Sequence, residues 1–340
     1  AMVGKWHLGH LPEFLPTKHG FDEWFGIPYS NDMDLDRPTV TTLNGGKLGL
    51  WHTGKHWDEP MSEYWRVPLM QGDQIIKRSP DQSLLTKMYT KRSVDFITNN
   101  ADKPFFLYLA HSMPHVPLFR SENFVGTSTA GIYGDVIEEI DWSVGQIIQT
   151  LESLEISEHT LVVFTSDNGP WLQFRTQGGS AGLLRGGKGT TWEGGMREPA
   201  IFWWPQSIEP KIVHGIGSTL DLMATICSLA NIDLPAKNED SVDLSNTLLL
   251  GQDSPRNEMI YYRHQTIEAI RLGAYKGHFD REASDRGEIK LKAIYNIDMD
   301  PAEAFNLWER YPDIAVALRS RYLEHRRSII PVVDQLARRN

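Results

Sequence analysis

The sequence predicts an α/β fold in which a central sheet carries helices on both faces. Apolar residues recur at helical spacing from Ser83 to Ile97, and a short apolar run from Phe105 to Ala110 follows them. The same order returns in the amphipathic segment from Val136 to Leu154 and the run from Leu161 to Phe164. Strands that are apolar throughout are typical of a sheet buried on both faces, and their alternation with helices is typical of α/β proteins.

A third strand and helix extend this pattern. The strand is predicted from Ala200 to Trp204 and the helix from Ser218 to Ala230. In contrast, residues 32–81 are rich in Gly, Pro, Trp and His without clear periodicity, which predicts a long, partly ordered loop. Because ligands of α/β sheets bind at the carboxyl ends of the strands, residues that follow the predicted strands are the candidates for function.

The pattern changes after about residue 254. Short apolar runs then alternate with turn residues, at residues 260–262, 269–272 and 293–296. A helical stretch from Ile314 to Ile329 follows near the end of the sequence. Short apolar runs separated by turn residues, followed by a helical stretch, predict a small antiparallel sheet with one helix. We therefore expect a catalytic domain over residues 1–254 and a small α+β subdomain over residues 255–340.

Composition and charge limit the possible partners. With 340 residues, 40% of them hydrophobic and 23% charged, the chain has the composition of a soluble globular protein. The 34 basic and 44 acidic residues give a formal net charge of -10, which argues against a nucleic acid partner. No stretch approaches the roughly 20 apolar residues of a membrane span. The lone cysteine, Cys227, forms no internal disulfide.

A carboxylate and an amide follow the predicted strand at residues 161–164. Asp167 and Asn168 stand in the run Thr165 to Pro170, where they offer oxygen ligands at the rim of the sheet. A hard divalent cation prefers such ligands. The alternative is a plain turn, since Asp-Asn-Gly is also common turn chemistry.

Two cations stand close together near the beginning of the chain. Lys5 and His7 flank Trp6, and alternation in an extended segment would put the ammonium and the imidazole on the same side. That arrangement predicts a clamp for an anion. The alternative is a surface lysine beside an ordinary histidine.

A histidine follows the predicted strand that ends at Ala110. His115 lies between Pro114 and Pro117, whose rings restrict the backbone on both sides. An imidazole held in this way at a strand end is suited to general acid catalysis, since its ordinary pKa is about 6.5. The alternative is a loop histidine that caps a turn.

The segment from Gly178 to Pro199 is crowded with glycine around Lys188. Glycines let the backbone approach an anion closely while the lysine supplies charge, although the spacing does not match a nucleotide-binding P-loop. The alternative is a flexible structural loop. From the small subdomain, His278 is a further candidate for substrate binding, with a structural role as its alternative.

Aromatic residues in the predicted long loop suggest a substrate class. Trp51, His52, Trp57 and Trp65 could stack on sugar rings and bind an acidic group, which fits a sulfated carbohydrate. The alternative is that these aromatic residues pack the interior. An aryl sulfate is the competing substrate.

Taken together, four motifs closely resemble the formylglycine-dependent sulfatases of the alkaline-phosphatase-like superfamily. The resemblance is nearest to the arylsulfatase A and N-acetylgalactosamine-6-sulfatase branch. It extends to residues 19–26 and 298–307, and so spans nearly the whole chain. The four motifs are Gly-Lys-Trp-His-Leu-Gly at 4–9, His-Val-Pro at 115–117, Thr-Ser-Asp-Asn-Gly-Pro at 165–170, and Gly-Lys-Gly-Thr-Thr-Trp-Glu-Gly-Gly-Met-Arg-Glu-Pro at 187–199.

The resemblance implies a role for each candidate residue. Asp167 and Asn168 would be calcium ligands, and Lys5 and Lys188 would bind the sulfate oxygens. His115 would protonate the leaving alcohol, and the resemblance gives His7 the role of assisting the hydroxyl of the nucleophile. It also implies an alkaline-phosphatase-like central sheet and an exported protein, periplasmic, extracellular or lysosomal. Two amines, one imidazole and a pair of oxygen donors would converge around one small tetrahedral anion.

The chain departs from the family pattern in two respects. The Cys/Ser-x-Pro-x-Arg motif that is oxidised to formylglycine does not occur, and neither does the Asp-Asp pair that completes the calcium shell. Both lie upstream of the Gly-Lys-Trp-His motif in relatives, so we expect an N-terminally truncated sulfatase. As given, it should bind calcium weakly and be inactive. The alternatives are a phosphate or phosphonate ester hydrolase of the same superfamily and a non-catalytic sulfate-binding protein.

Overall fold

The computed structural model describes residues 1–47, 53–236, 240–281, 283 and 288–330. These residues form two compact units. The first unit comprises residues 1–162 and 171–179, and the second comprises residues 163–170 and 180–340. This division into compact units does not test the predicted domain boundary at residue 254, which stays a prediction.

The first unit is built on a mixed five-stranded sheet. Its strands are β1 (Met2–Lys5), β2 (Trp24–Ile27), β3 (Pro68–Gln71), β4 (Gln74–Arg78) and β5 (Tyr108–Ala110), in the order β4-β3-β2-β1-β5. Strand β1 pairs in parallel with β2 and β5, whereas β3 and β4 are antiparallel neighbours. The carboxyl ends of β1, β2 and β5 therefore meet at one edge of the sheet.

Two glycines allow these parallel strands to lie so close. A Cβ atom on Gly4, whose φ is +111°, would stand 1.9 Å from the carbonyl oxygen of Ala110. A Cβ atom on Gly26 would stand 1.8 Å from the carbonyl oxygen of Gly4. Since a side chain fits at neither position, glycine is required where β1 is sandwiched between β2 and β5.

Helices cover one face of this sheet. The unit contains α1 (Arg37–Leu43), α2 (Lys55–Asp58), α3 (Leu85–Asn99) and α4 (Gly131–Ser153). Helix α3 packs on β1 and β2, and α4 packs along α3. The apolar cluster under α3 contains Val3, Phe25, Ile27, Leu85 and Tyr89. On the opposite face, Met2, Trp24 and Met70 pack with Trp6 and Leu15.

The second unit contains two separate sheets. Strands β6 (Val162–Thr165) and β7 (Ala200–Trp203) pair with each other, and three short helices accompany them: α5 (Glu193–Met196), α6 (Asp221–Leu229) and α7 (Ser245–Leu250). The other sheet is antiparallel, in the order β11-β10-β9-β8, and consists of β8 (Glu258–Arg263), β9 (Thr266–Leu272), β10 (Tyr275–Phe279) and β11 (Leu291–Asn296). Helix α8 (Pro312–Ser328) packs on this sheet through Leu318 and Tyr322.

The predicted fold class is confirmed, because the structure has a mixed sheet with helices and a small antiparallel sheet with one helix. The prediction of a long loop over residues 32–81 is wrong in part, since α1, α2, β3 and β4 all lie in that region. Strand β4 is exposed along its length. Its sequence therefore lacks the alternation of apolar and polar residues that identifies a half-buried strand. In the part of the chain that the structure describes, no helix is long and apolar enough to cross a membrane.

Candidate active site

Lys5 and His7 lie at the carboxyl end of β1. The backbone continues to pair with the end of β2 and the residue after it, because Trp6 N donates to Ile27 O at 3.0 Å and His7 N donates to Pro28 O at 3.1 Å. Trp6 points into the core, where its Nε1 donates to Phe14 O at 2.8 Å. His7 has φ +55°, so the extended geometry assumed for the Lys5–His7 pair ends before His7.

His115 lies at the same edge of the sheet, in the segment that follows β5. Its Nδ1 is 2.7 Å from the carbonyl oxygen of Val116 and 3.3 Å from Ser30 Oγ. The carboxylate oxygen Oδ1 of Asp32 lies 3.9 Å from the same nitrogen. A carbonyl oxygen only accepts, so the contact with Val116 places a hydrogen on Nδ1. With a hydrogen on Nδ1, the second proton of the charged imidazole is the one on Nε2.

A tryptophan packs against the ring of His115. The ring centroids of His115 and Trp171 are 5.4 Å apart, and Trp171 meets Phe174 edge-on at 4.9 Å. The backbone fixes the position of Trp171, because its N–H donates to Gly178 O at 2.9 Å. This places an aromatic surface beside the imidazole.

Sequence reasoning missed Ser30, Asp32 and Trp171. The signal for the first two was available, since both follow β2 directly and β2 ends at the same edge as β1 and β5. It is hard to recognise because β2 is only four residues long, too short for a clear pattern of apolar residues. No local pattern marks Trp171, which reaches His115 across more than fifty residues of sequence.

In the second unit, Asp167 and Asn168 follow β6 and lie against the glycine-rich segment. Asn168 Nδ2 donates to Asp167 Oδ1 at 2.5 Å. Lys188 N donates to Pro170 O at 2.9 Å, and Gly169 N donates to Gly195 O at 3.2 Å. The structure thus brings the segment Asp167–Pro170 and the backbone of Lys188 together, and their roles in one site stay a prediction.

Asp167 and Asn168 have the kind of oxygen ligand that calcium prefers, but they are too few to complete its coordination. Carboxylate and amide oxygens are hard donors, but calcium takes about six to eight oxygen ligands, more than two side chains supply. Over the described ranges, no group of three or more His, Cys, Asp and Glu side chains could hold a metal ion. Glu198 is close by: burial raises the pKa of its carboxyl, a hydrogen bond with Ser166 opposes that change, and the Asp167 carboxylate adds to it.

His278 is part of a buried cluster of charges in the second unit. Its Nε2 lies 2.7 Å from Glu303 Oε1, and its ring stacks on Trp192 at 3.9 Å. Lys276 Nζ lies 2.8 Å from Glu193 Oε1 and 3.2 Å from Glu303 Oε1. Burial lowers the pKa of His278, while the hydrogen bond to Glu303 opposes that change. These contacts favour the structural alternative for His278, and its role in substrate binding stays a prediction.

Two of the aromatic residues proposed to stack on sugars lie in the protein interior. Trp57 and Trp65 are buried, with ring centroids 5.7 Å apart, and they pack against Phe174 and Phe119. The alternative of packing aromatics therefore describes these two residues. Trp51 and His52 lie outside the described residues.

Comparison with known proteins gives matches to sulfatases along most of the chain. The Sulfatase family model matches residues 1–232, and the model for the C-terminal region of aryl-sulfatase matches residues 254–340. N-acetylgalactosamine-6-sulfatase of Canis lupus familiaris is 38% identical over 370 residues, covering 98% of this chain and 67% of the relative. Arylsulfatase A of Homo sapiens is 36% identical over 336 residues, covering 90% of this chain and 64% of the relative.

A solved structure agrees with this similarity. The crystal structure of PsFucS1 sulfatase from Pseudoalteromonas sp. matches with a TM-score of 0.77 and 25% identity, covering 95% of this chain and 69% of that one. Family match, sequence similarity and structural similarity all extend over most of the chain and all point the same way. The chain belongs to the sulfatase family of sulfuric ester hydrolases.

Proposed function

We propose that this protein hydrolyses sulfate esters of carbohydrates. The similarity to N-acetylgalactosamine-6-sulfatase over 98% of the chain supports a sugar substrate. The similarity to arylsulfatase A keeps aryl sulfates as the competing class. The proposal also retains an exported location, which was expected from the resemblance.

In this proposal, Lys5 and Lys188 bind the oxygens of the sulfate group. A sulfate ester is an anion, so its charge resists attack by an oxygen nucleophile. Fixed ammonium groups neutralise that charge, and they act most strongly where water is excluded. Asp167 and Asn168 would hold a calcium ion, which supplies further positive charge when it is bound.

His115 protonates the leaving alcohol. The observation that carries this role is the 2.7 Å contact between its Nδ1 and the Val116 carbonyl oxygen. That contact keeps a hydrogen on Nδ1 and reserves Nε2 for proton transfer. A sugar alkoxide is a poor leaving group, so the step needs an acid.

His7 assists the hydroxyl of the nucleophile in this proposal. The family implies a formylglycine nucleophile, and none of the 340 residues stands in the Cys/Ser-x-Pro-x-Arg motif that is converted to it. The position of His7 after β1 supports a role near Lys5, because the backbone N–H groups of Trp6 and His7 both bond to the segment after β2.

The test uses protein expressed from the complete gene and measures sulfate released from N-acetylgalactosamine 6-sulfate. We expect turnover, and we expect His115→Ala to lower kcat by about 10²- to 10⁴-fold, the usual effect of losing a general acid. His159→Ala is the matched control, since His159 is an exposed histidine of the same unit. Absence of sulfate release, or equal activity in the His115 and His159 variants, would contradict the proposal.

A further inference from the structure

We propose that Asp32 is a positioning residue for His115, and that its carboxylate keeps the imidazole oriented and charged for protonation of the leaving group. This inference rests on the proposed acid role of His115. It adds a residue that acts through the imidazole and not on the substrate itself.

The contacts of Asp32 carry the inference. Its Oδ1 lies 3.9 Å from His115 Nδ1, and each side chain is 15% exposed. Across the described part of the chain, that oxygen is buried and accepts no hydrogen bond. Burying a carboxylate oxygen without a hydrogen-bond donor costs free energy. Attraction to a positively charged imidazole opposite that oxygen offsets part of this cost.

A separate set of hydrogen bonds holds Asp32 and His115 in place relative to each other. Asn31 is buried, and its Nδ2 donates to Gln82 Oε1 at 3.0 Å and to Pro117 O at 3.1 Å. Gln82 Nε2 donates back to Asn31 O at 3.1 Å. Asn31, the residue before Asp32, is thus hydrogen-bonded to the segment that contains His115. These bonds hold the two segments together and so limit the separation of the carboxylate and the imidazole.

This geometry has a chemical consequence. When both ring nitrogens of His115 are protonated, Nδ1–H faces Val116 O and the Asp32 carboxylate, and Nε2–H faces the substrate. The nucleophile would supply the oxygen that bonds to sulfur, its hydroxyl proton would pass to His7 in the role proposed for that residue, and the bond from sulfur to the leaving oxygen would break. The bonding electron pair goes to the leaving oxygen, which takes the Nε2 proton. His115 is left neutral with its Nδ1 hydrogen in place, and the carboxylate of Asp32 stays ionised.

Leaving-group dependence tests this role, because protonation matters only when the departing oxygen is a poor leaving group. Asp32→Asn removes the charge while keeping the shape. In protein from the complete gene, we expect kcat/KM to fall by about 10- to 100-fold for N-acetylgalactosamine 6-sulfate. For 4-nitrophenyl sulfate, whose leaving group departs as a stable anion, we expect less than about a threefold change.

Asp34→Asn is the matched control. Asp34 lies two residues further on, accepts a hydrogen bond from Tyr29 OH at 3.4 Å, and has φ +59°, a conformation that asparagine also adopts. We expect this variant to retain activity on both esters. Unfolding temperatures of both variants show whether each protein remains folded.

His115→Ala separates failure of this inference from failure of the proposed function. If His115→Ala loses the same activity on both esters, the acid role itself is wrong. If His115→Ala discriminates between the esters and Asp32→Asn does not, the acid role stands and the inference about Asp32 is overturned. An equal loss on both esters in Asp32→Asn also overturns it, because a residue that serves only the fold affects both substrates alike.

Discussion

His111 and His115 belong to one segment, but their surroundings give them opposite properties. His115 faces a carboxylate and a hydroxyl through Nδ1. His111 Nδ1 is buried and, within the described ranges, has no hydrogen-bond partner, while its Nε2 lies 3.1 Å from Ser143 Oγ. Burial lowers the pKa of His111 to about 4. The first histidine is therefore a neutral packing residue, whereas the second has polar groups around its Nδ1.

The pKa of His111 makes the stability of the fold depend on pH. The unfolded chain titrates near its ordinary value of 6.5, above the folded value of about 4, so it binds more protons between these limits. The stabilising contribution is complete above pH 6.5 and is lost as the pH falls toward 4, up to about 3 kcal/mol. We expect His111→Gln to reduce this pH dependence, as measured by chemical unfolding at pH 7 and pH 4.5. Parallel changes in both proteins would contradict the assignment.

At the scale of elements, the Asp167–Asn168 turn depends on close contact with the glycine-rich segment. A Cβ atom on Gly169 would stand 1.9 Å from the carbonyl oxygen of Gly194, and backbone atoms cannot move aside as a flexible side chain can. We expect Gly169→Ala to separate the turn from the segment that carries Lys188, and to lower the free energy of unfolding by about 1–3 kcal/mol. Activity on a sulfate ester should fall with it.

Gly145→Ala is the control for this change. Gly145 lies inside α4, and among the described residues no atom other than those of its chain neighbours and its own helix backbone comes within 4 Å of an added Cβ. Alanine there should raise the free energy of unfolding by about 0.5–1 kcal/mol, because glycine is the poorer helix former. If both alanine variants shift stability in the same direction in thermal unfolding, close backbone contact at Gly169 is not what holds the turn.

The elements that sequence predicts well are those with a period. Helices α3 and α4 follow from the spacing of their apolar residues, and β6 and β7 follow from short apolar runs. Strand β10 has no such signal, since Lys276 and His278 are polar residues at buried positions. Their partners, Glu193 and Glu303, are far away in the sequence. Only the folded chain shows that these charges are paired.

The candidate site shows the same division. Lys5, His115, Asp167 and Lys188 stand in motifs that can be recognised one by one, and the backbone bonds Lys188 to the Asp167 turn as expected. Trp171 is recognised only from its contact with His115, whereas Ser30 and Asp32 could be recognised by their position after β2 once that strand is identified. The proposed roles of the site residues stay predictions for experiment.

At the scale of the whole molecule, family membership extends along the chain, from the Sulfatase match at residues 1–232 to the aryl-sulfatase C-terminal match at residues 254–340. The alternative given by the sequence is a hydrolase of the same superfamily that acts on phosphate esters. The two esters differ in charge, since a phosphate monoester carries more negative charge at neutral pH than a sulfate ester. This difference in charge is what an assay with paired sulfate and phosphate esters probes.

The most direct measurement compares kcat/KM for 4-nitrophenyl sulfate and 4-nitrophenyl phosphate, using protein from the complete gene and its Lys188→Ala variant. The sulfate ester should be cleaved faster, and Lys188→Ala should lower kcat/KM for it by about 10²- to 10³-fold, the usual cost of removing one charge-stabilising group. Lys91→Ala, which removes an exposed lysine paired with Asp95, should change neither rate. Faster cleavage of the phosphate ester, or an unchanged rate in Lys188→Ala, would contradict the account.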